Sequence, residues 1–89
     1  MNVVISEKAR IAFERMDRGE QRKARTAIEY LRMSNLDGLH VQRLSKPQGL
    51  FIGRVDKKNR IIFRKKSEHE IVVVDFVQPD EIKKFLGEG

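Results

Sequence analysis

The chain has no cysteine and only two histidines among its 89 residues. A disulfide framework is therefore excluded, and a zinc cluster of cysteine and histidine has no ligand set. Neither a metal nor another cofactor is expected. No apolar run approaches the roughly 20 residues needed to span a bilayer. The opening run, Met1 to Ile5, is too short for the apolar core of a secretory signal, and no basic stretch precedes it. A cytoplasmic protein without a membrane partner is the expectation. The length gives room for one domain, residues 1–89, around one modest core. Apolar content of 39% is enough to build it.

Negative charge is the minority sign. Thirteen acidic residues face nineteen basic ones, for a net charge of +6 and a pI near 10.0. So much charge of one sign on so small a domain favours a polyanionic or acidic partner.

The patterning alternates between two periods. Asn2 to Ile5 is β-branched and predicts a first strand. Ser6 can cap a helix, with Glu7 in its first turn. Ala9, Ala12, Phe13 and Met16 then recur at helical spacing, and Gly19 is expected to stop the helix. A second helix is predicted from Glu20, with Ala24, Ala27, Ile28 and Leu31 on one face. The short connection implies a helix hairpin. The outer face of the second helix carries Arg22, Arg25, Glu29 and Arg32, which suits either solvent or a nucleic acid.

Asn35 to Gly49 reads as a loop, anchored by Leu39, Val41 and Leu44 and leaving Arg43 and Lys46 outward. A three-stranded meander follows. Phe51 to Val55 is strand-like, and Asp56-Lys57-Lys58-Asn59 makes a polar turn. Arg60 to Arg64 is the next strand, Ser67-Glu68-His69 the next turn, and Ile71 to Val77 a nearly unbroken β-branched strand. Alternation puts Ile61 and Phe63 on one face of the middle strand and Arg60, Ile62 and Arg64 on the other. Asp75 interrupts the last strand. Buried there, its carboxylate needs a partner, and Arg60 or Arg54 is the expected one. Pro79 opens a final helix, with Asp80 and Glu81 in its first turn and Lys83 and Lys84 in its last. Ile82, Phe85 and Leu86 give that helix an apolar face. The predicted fold is α+β, in the order β-α-α-β-β-β-α. It has a small, mostly antiparallel sheet packed by an N-terminal helix hairpin, with a short C-terminal helix.

This order resembles the RelE/ParE-like toxins of bacterial type II toxin–antitoxin systems over essentially the whole chain. The resemblance is carried by Glu7-Lys8-Ala9, by Arg43-Leu44 before a glycine-containing turn, and by Gly49-Leu50-Phe51 leading into a strand. It continues through Arg54-Val55, a turn, and Arg60-Ile61-Ile62-Phe63 before a β-branched strand. It implies a single toxin domain whose exposed sheet face is a cleft. In RelE-like members that cleft binds mRNA in the ribosomal A site and cleaves it without a metal, the 2′-hydroxyl attacking the neighbouring phosphorus. On that pattern Arg54 and Arg60 are the catalytic, phosphate-stabilising residues. Arg43, Lys46, Lys57, Lys58 and Arg64 are RNA contacts.

Many nucleases of the family carry an arginine or histidine just after the last strand and a tyrosine near the C-terminus. This chain has Gln78-Pro79 and Phe85 at those places, and its single tyrosine is Tyr30. His40, His69 and Gln78 are what remains by residue type or place for acid–base work. The implied partners are a cognate antitoxin, the ribosome and mRNA. The alternatives are a non-nuclease ParE-like member, gyrase-directed or catalytically degenerate, that binds its target without cleavage, and a small basic RNA-binding module.

Overall fold

The computed structural model describes residues 1–44 and 49–82. Within them five strands, two helices and two short 3-10 turns follow one another. These are β1 (Asn2–Ile5), α1 (Glu7–Glu14), α2 (Arg18–Arg32), a 3-10 turn (Asp37–Leu39), β2 (Gln42–Arg43), β3 (Leu50–Arg54), β4 (Arg60–Ser67), β5 (Glu70–Val77) and a second 3-10 turn (Pro79–Glu81). The strands form one sheet in the order β1-β5-β4-β3-β2. β1 lies parallel to β5, and the other pairs are antiparallel. The α+β class and the order of elements agree with the sequence pattern.

Local chemistry accounts for the helix ends. The Ser6 hydroxyl accepts the Ala9 N–H at 3.1 Å and donates to the Val74 carbonyl at 2.7 Å, so one side chain both caps α1 and ties it to β5. Asp17 caps α2 through the Glu20 N–H at 2.8 Å, and the Glu20 carboxylate accepts the Asp17 N–H at 3.1 Å. That reciprocal pair is a capping box. It corrects the expectation that Gly19 ends the first helix. α1 stops at Glu14, and Gly19 sits in the first turn of α2. A strong cap two residues earlier outweighs a glycine, which a helix tolerates at a modest cost.

The main core lies between the helices and one sheet face. Ala9, Ala24, Ala27 and Leu31 meet Ile61, Phe63, Val73 and Phe76 there. Alanines on both helices let the backbones approach the sheet closely. Gly53 serves the same purpose on β3: a Cβ there would stand 3.0 Å from Ile61 Cγ2 and 3.2 Å from Leu39 Cβ.

The opposite face is not bare. Ile62 is completely buried in a second cluster with Leu44, Ile52 and Val77, bordered by Leu50, Val74 and Ile82. Ile62 thus faces away from the helices, as alternation requires, but meets apolar neighbours there rather than solvent.

Two strand details differ from the expectation. β2 pairs with β3 through Gln42 and Arg43, in a stretch read as loop. Two residues are too few for a period-2 signal. β4 also runs to Ser67, past the predicted end at Arg64, as one eight-residue arm of the β4–β5 hairpin. Beyond Val77 the described chain makes the Pro79–Glu81 turn. The remainder of the predicted last helix, from Lys83 onward, lies outside the described residues.

A bulge fixes the place of Asp75. Ile62 pairs with Asp75 and Phe63 with Val73, so Val74 is the extra residue on β5. Asp75 is buried, and its Oδ2 lies 3.4 Å from Lys8 Nζ on α1. Its Oδ1 accepts the Phe76 N–H at 2.8 Å. The expected pairing of Asp75 with Arg54 or Arg60 is therefore corrected. The irregular pleat re-aims the carboxylate toward α1, which lies against β5.

Candidate functional site

The β3–β4 turn is built by one carboxylate. Asp56 Oδ1 accepts the N–H groups of Lys58 at 2.8 Å and Asn59 at 2.6 Å. Partial burial pushes the Asp56 carboxyl up, but these N–H donors, the Asn59 amide and the nearby Lys23 charge outweigh it and hold it below the ordinary value of 3.8. Asn59 is itself buried, and its amide donates to Glu20 Oε2 at 2.7 Å. The turn is thus held from within and bolted to the start of α2.

Arg60 leaves this turn. Its Nη1 donates to the Asp56 carbonyl at 2.6 Å and the Asn59 carbonyl at 3.1 Å. One nitrogen anchors the guanidinium, and among the described residues its other edge makes no hydrogen bond. Arg54 stands directly across the strand pair from Arg60, and Val77 on β5 stands on Arg60's other side. Arg54 is exposed and Arg60 half-buried. Like charges directly opposite each other destabilise a strand pair. Placed so, with one guanidinium fixed, they can meet two oxygens of an anion such as a phosphodiester.

The other predicted contacts divide. Arg64 is exposed on the same face as Arg60, two pleats along β4 and about 13 Å away along the strand. Lys57 is exposed in the turn. Lys58 Nζ reaches 3.8 Å from Glu20 Oε2, toward α2. Arg43 lies on the helix-side face: its register partner is Phe51, its guanidinium sits 5.6 Å from the Phe51 ring centroid, and Phe51 stacks on Phe63. Arg43 is thus separated from Arg60 by the sheet. Lys46 lies outside the described residues.

Of the residues proposed for acid–base work, Gln78 comes beside Arg60, one residue past Arg60's partner Val77. Its backbone N–H donates to Glu81 Oε1 at 2.9 Å, and an amide side chain does not titrate. His69 is in the β4–β5 turn, at the far end of β4 from Arg60, where its carbonyl accepts the Asn2 N–H at 2.7 Å. His40 follows the first 3-10 turn with φ of 49°. His69 is thus remote from the Arg54–Arg60 pair, whereas His40 lies two residues before Gln42, whose register partner Ile52 lies two residues before Arg54. Phe85 lies outside the described residues.

Two concavities lie nearby, and Arg54 lines one of them. One, about 420 Å³, opens between α1, the start of α2, the β3–β4 turn and the end of β5. It mixes Lys8, Arg15 and Lys58 with Glu20, Asp75 and Glu81, and most of its charge is internally paired. The other, about 270 Å³, lies beside Arg54 and brings Lys23, Tyr30 and Gly38 to it. Both Lys23 and Tyr30 lie on α2, and neither was singled out as a site residue from the sequence. Among the described residues no group of three or more potential metal ligands comes together. No described helix is long and apolar enough to cross a membrane.

No protein-family model matches the chain, and no curated protein matches it. Solved structures do. A YoeB/ParE toxin from Agrobacterium tumefaciens superposes with a TM-score of 0.74 at 19% identity, covering 88% of this chain and 98% of its own. A chain of the archaeal RelE–RelB complex from Pyrococcus horikoshii OT3 gives 0.70 at 14% identity, with 99% and 97% covered. A chain of the RelB–RelE antitoxin–toxin complex from Methanococcus jannaschii gives 0.73 at 11% identity, with 92% and 96% covered. At such identities the likeness is one of fold, and the fold is that of the RelE/YoeB/ParE toxins.

Proposed function

We propose that this chain is the toxin of a toxin–antitoxin pair and that it inhibits translation in the cytoplasm as a RelE-like, ribosome-dependent mRNA endoribonuclease. The toxin reading is supported by a fold held in common with named toxins, two of them in complexes with an antitoxin. The observation that carries the RNA-directed reading is Arg54 facing Arg60 across β3 and β4, with Arg60 anchored by the turn carbonyls.

On this reading the scissile phosphate lies against the two guanidinium groups. The 2′-oxygen attacks the adjacent phosphorus, a 2′,3′-cyclic phosphate forms, and the 5′-oxygen leaves with a proton. Negative charge grows on the non-bridging oxygens as the phosphorane forms. A donor already fixed in place, as Arg60 is by the turn carbonyls, stabilises that charge more than it stabilises the ground state. The proton from the 2′-hydroxyl passes to water, and water returns one to the leaving 5′-oxygen. A cognate antitoxin with an acidic segment complements the same surface.

One observation favours a second reading, in which the protein binds its target without cutting it: beside Arg60 the described chain offers Gln78 where an acid or base is wanted. Primer extension on mRNA from induced cells tests the two. Discrete breaks that appear with the protein and vanish with Arg60→Ala support the nuclease. Growth arrest with intact mRNA overturns it in favour of binding alone.

A further inference from the structure

The hollow of about 270 Å³ beside Arg54 sits at an open sheet edge. Among the described residues β2 pairs with β3 only at Phe51 and Ile52, and no outer strand pairs with Gly53 and Arg54. α2 and the first 3-10 turn close the space instead, contributing Lys23, Tyr30 and Gly38. Tyr30 is held in place there: a Cβ on Gly38 would stand 3.0 Å from its ring. Ala27, Leu39 and Val55 supply an apolar lining. The polar side chains already in use do not compete for a ligand. The Thr26 hydroxyl donates to the Arg22 carbonyl at 3.1 Å. The Asp56 carboxylate, near Lys23, is occupied by the turn N–H groups.

We propose that this hollow is a nucleotide subsite, in which Lys23 and Arg54 hold a phosphate and the Tyr30 ring receives the adjoining base. The inference rests on the RNA-directed reading above and extends it. An RNA strand whose scissile phosphate lies at Arg60 crosses Arg54 and turns round the free edge of β3 toward α2. Pockets that enclose whole drug-sized ligands run to about 300–1,000 Å³, so this one takes a single unit of a polymer. Two cations around a fixed aromatic ring suit a phosphate joined to a base, because every base has a face that stacks. An acidic peptide would use the cations and leave the ring and the apolar lining idle. RNA is therefore the occupant the chemistry favours.

The test is equilibrium binding of the full chain to fluorescein-labelled single-stranded RNA of two lengths, a dinucleotide and a hexanucleotide, at several salt concentrations. Tyr30→Leu is expected to weaken the hexanucleotide by about fivefold or more, with the dinucleotide unchanged and Tyr30→Phe behaving as the parent. Lys23→Gln is expected to weaken the hexanucleotide and lower the slope of log K against log salt by about 0.7. Lys23 is exposed, so Lys23→Gln decides the matter even if Tyr30→Leu fails to fold by circular dichroism. Hexanucleotide binding that Lys23→Gln leaves unchanged overturns the subsite while the RNA-directed reading stands. A parent protein that binds neither RNA overturns both. Loss of affinity for an acidic antitoxin peptide with RNA binding intact reassigns the hollow to a protein partner.

Discussion

Asn59 donates its side-chain amide to Glu20 Oε2 at 2.7 Å, joining the β3–β4 turn to the first turn of α2. Glu20 is already the far half of the α2 capping box, through Oε1 and the Asp17 N–H. One carboxylate therefore fixes where a helix begins and where a hairpin turn sits. Arg60 follows Asn59 directly and bonds its carbonyl, so the placing of the arginine depends on this link.

Asn59→Ala removes the amide and leaves Glu20, whose side chain is 17% exposed, short of a donor. The expected cost is about 1–3 kcal/mol, the range for leaving a buried polar group unsatisfied. Asn59→Asp is expected to cost more, because it sets a second carboxylate against Glu20. Urea melts of the two variants check this order, and Asn59→Asp as stable as the parent would contradict it.

Asp56 makes the same turn sensitive to acid. Its folded carboxyl lies below the ordinary value of 3.8, so the unfolded chain binds the proton more readily. The stabilisation is fully present above that ordinary value and is lost as pH falls through the lower folded value. The parent protein is expected to lose melting temperature in that acidic range more steeply than Asp56→Asn. Parallel thermal melts from neutral pH downward check this, and coincident curves would show that the turn does not depend on the charge.

The elements legible in the sequence were those with a long period or a strong terminal residue. Ser6 announced α1, and Ala24, Ala27 and Leu31 announced the buried face of α2. The Asp56–Asn59 turn was visible from composition alone. Apart from one local cap, the missed features depend on pairs far apart in the chain. The Asp17–Glu20 capping box was readable, but Gly19 between its members drew attention to itself. The Asp75 partner turned on a bulge at Val74, and no single-residue pattern distinguishes a bulge from a regular strand. For the site, alternation placed Arg60 and Arg64 on one face. It could not reveal that Arg43, inside the stretch read as loop, pairs onto the opposite face over Phe51.

The second apolar cluster yields a stability prediction. Ile62 lies between Arg60 and Arg64 in sequence yet is completely buried. Ile62→Ala is expected to cost about 2–5 kcal/mol, as large-to-small changes in packed cores do. Chemical denaturation measures it. A loss below about 1 kcal/mol would mean that the cluster with Leu44, Ile52 and Val77 collapses around the gap or packs loosely.

Arg60 offers the sharpest functional prediction, because its anchoring and its free edge are separable. Arg60→Lys keeps one positive charge but gives up the planar fork, so it cannot bond the turn carbonyls and a phosphate in the same geometry. Cleavage is expected to fall further than RNA affinity. Arg60→Ala is expected to lose both, at a stability cost of about 1 kcal/mol from the lost hydrogen bonds to Asp56 and Asn59. Arg54→Ala separates charge from anchoring: Arg54 is exposed and opposes a like charge, so its loss is expected to leave stability unchanged or slightly raised while weakening RNA binding. Growth and mRNA integrity after induction, with circular dichroism and urea melts on the purified variants, give the comparison. A folded Arg60→Ala protein that still arrests growth and breaks mRNA would remove Arg60 from the site. A large loss of stability in Arg54→Ala would mean that the facing arginines hold the strands together rather than wait for an anion.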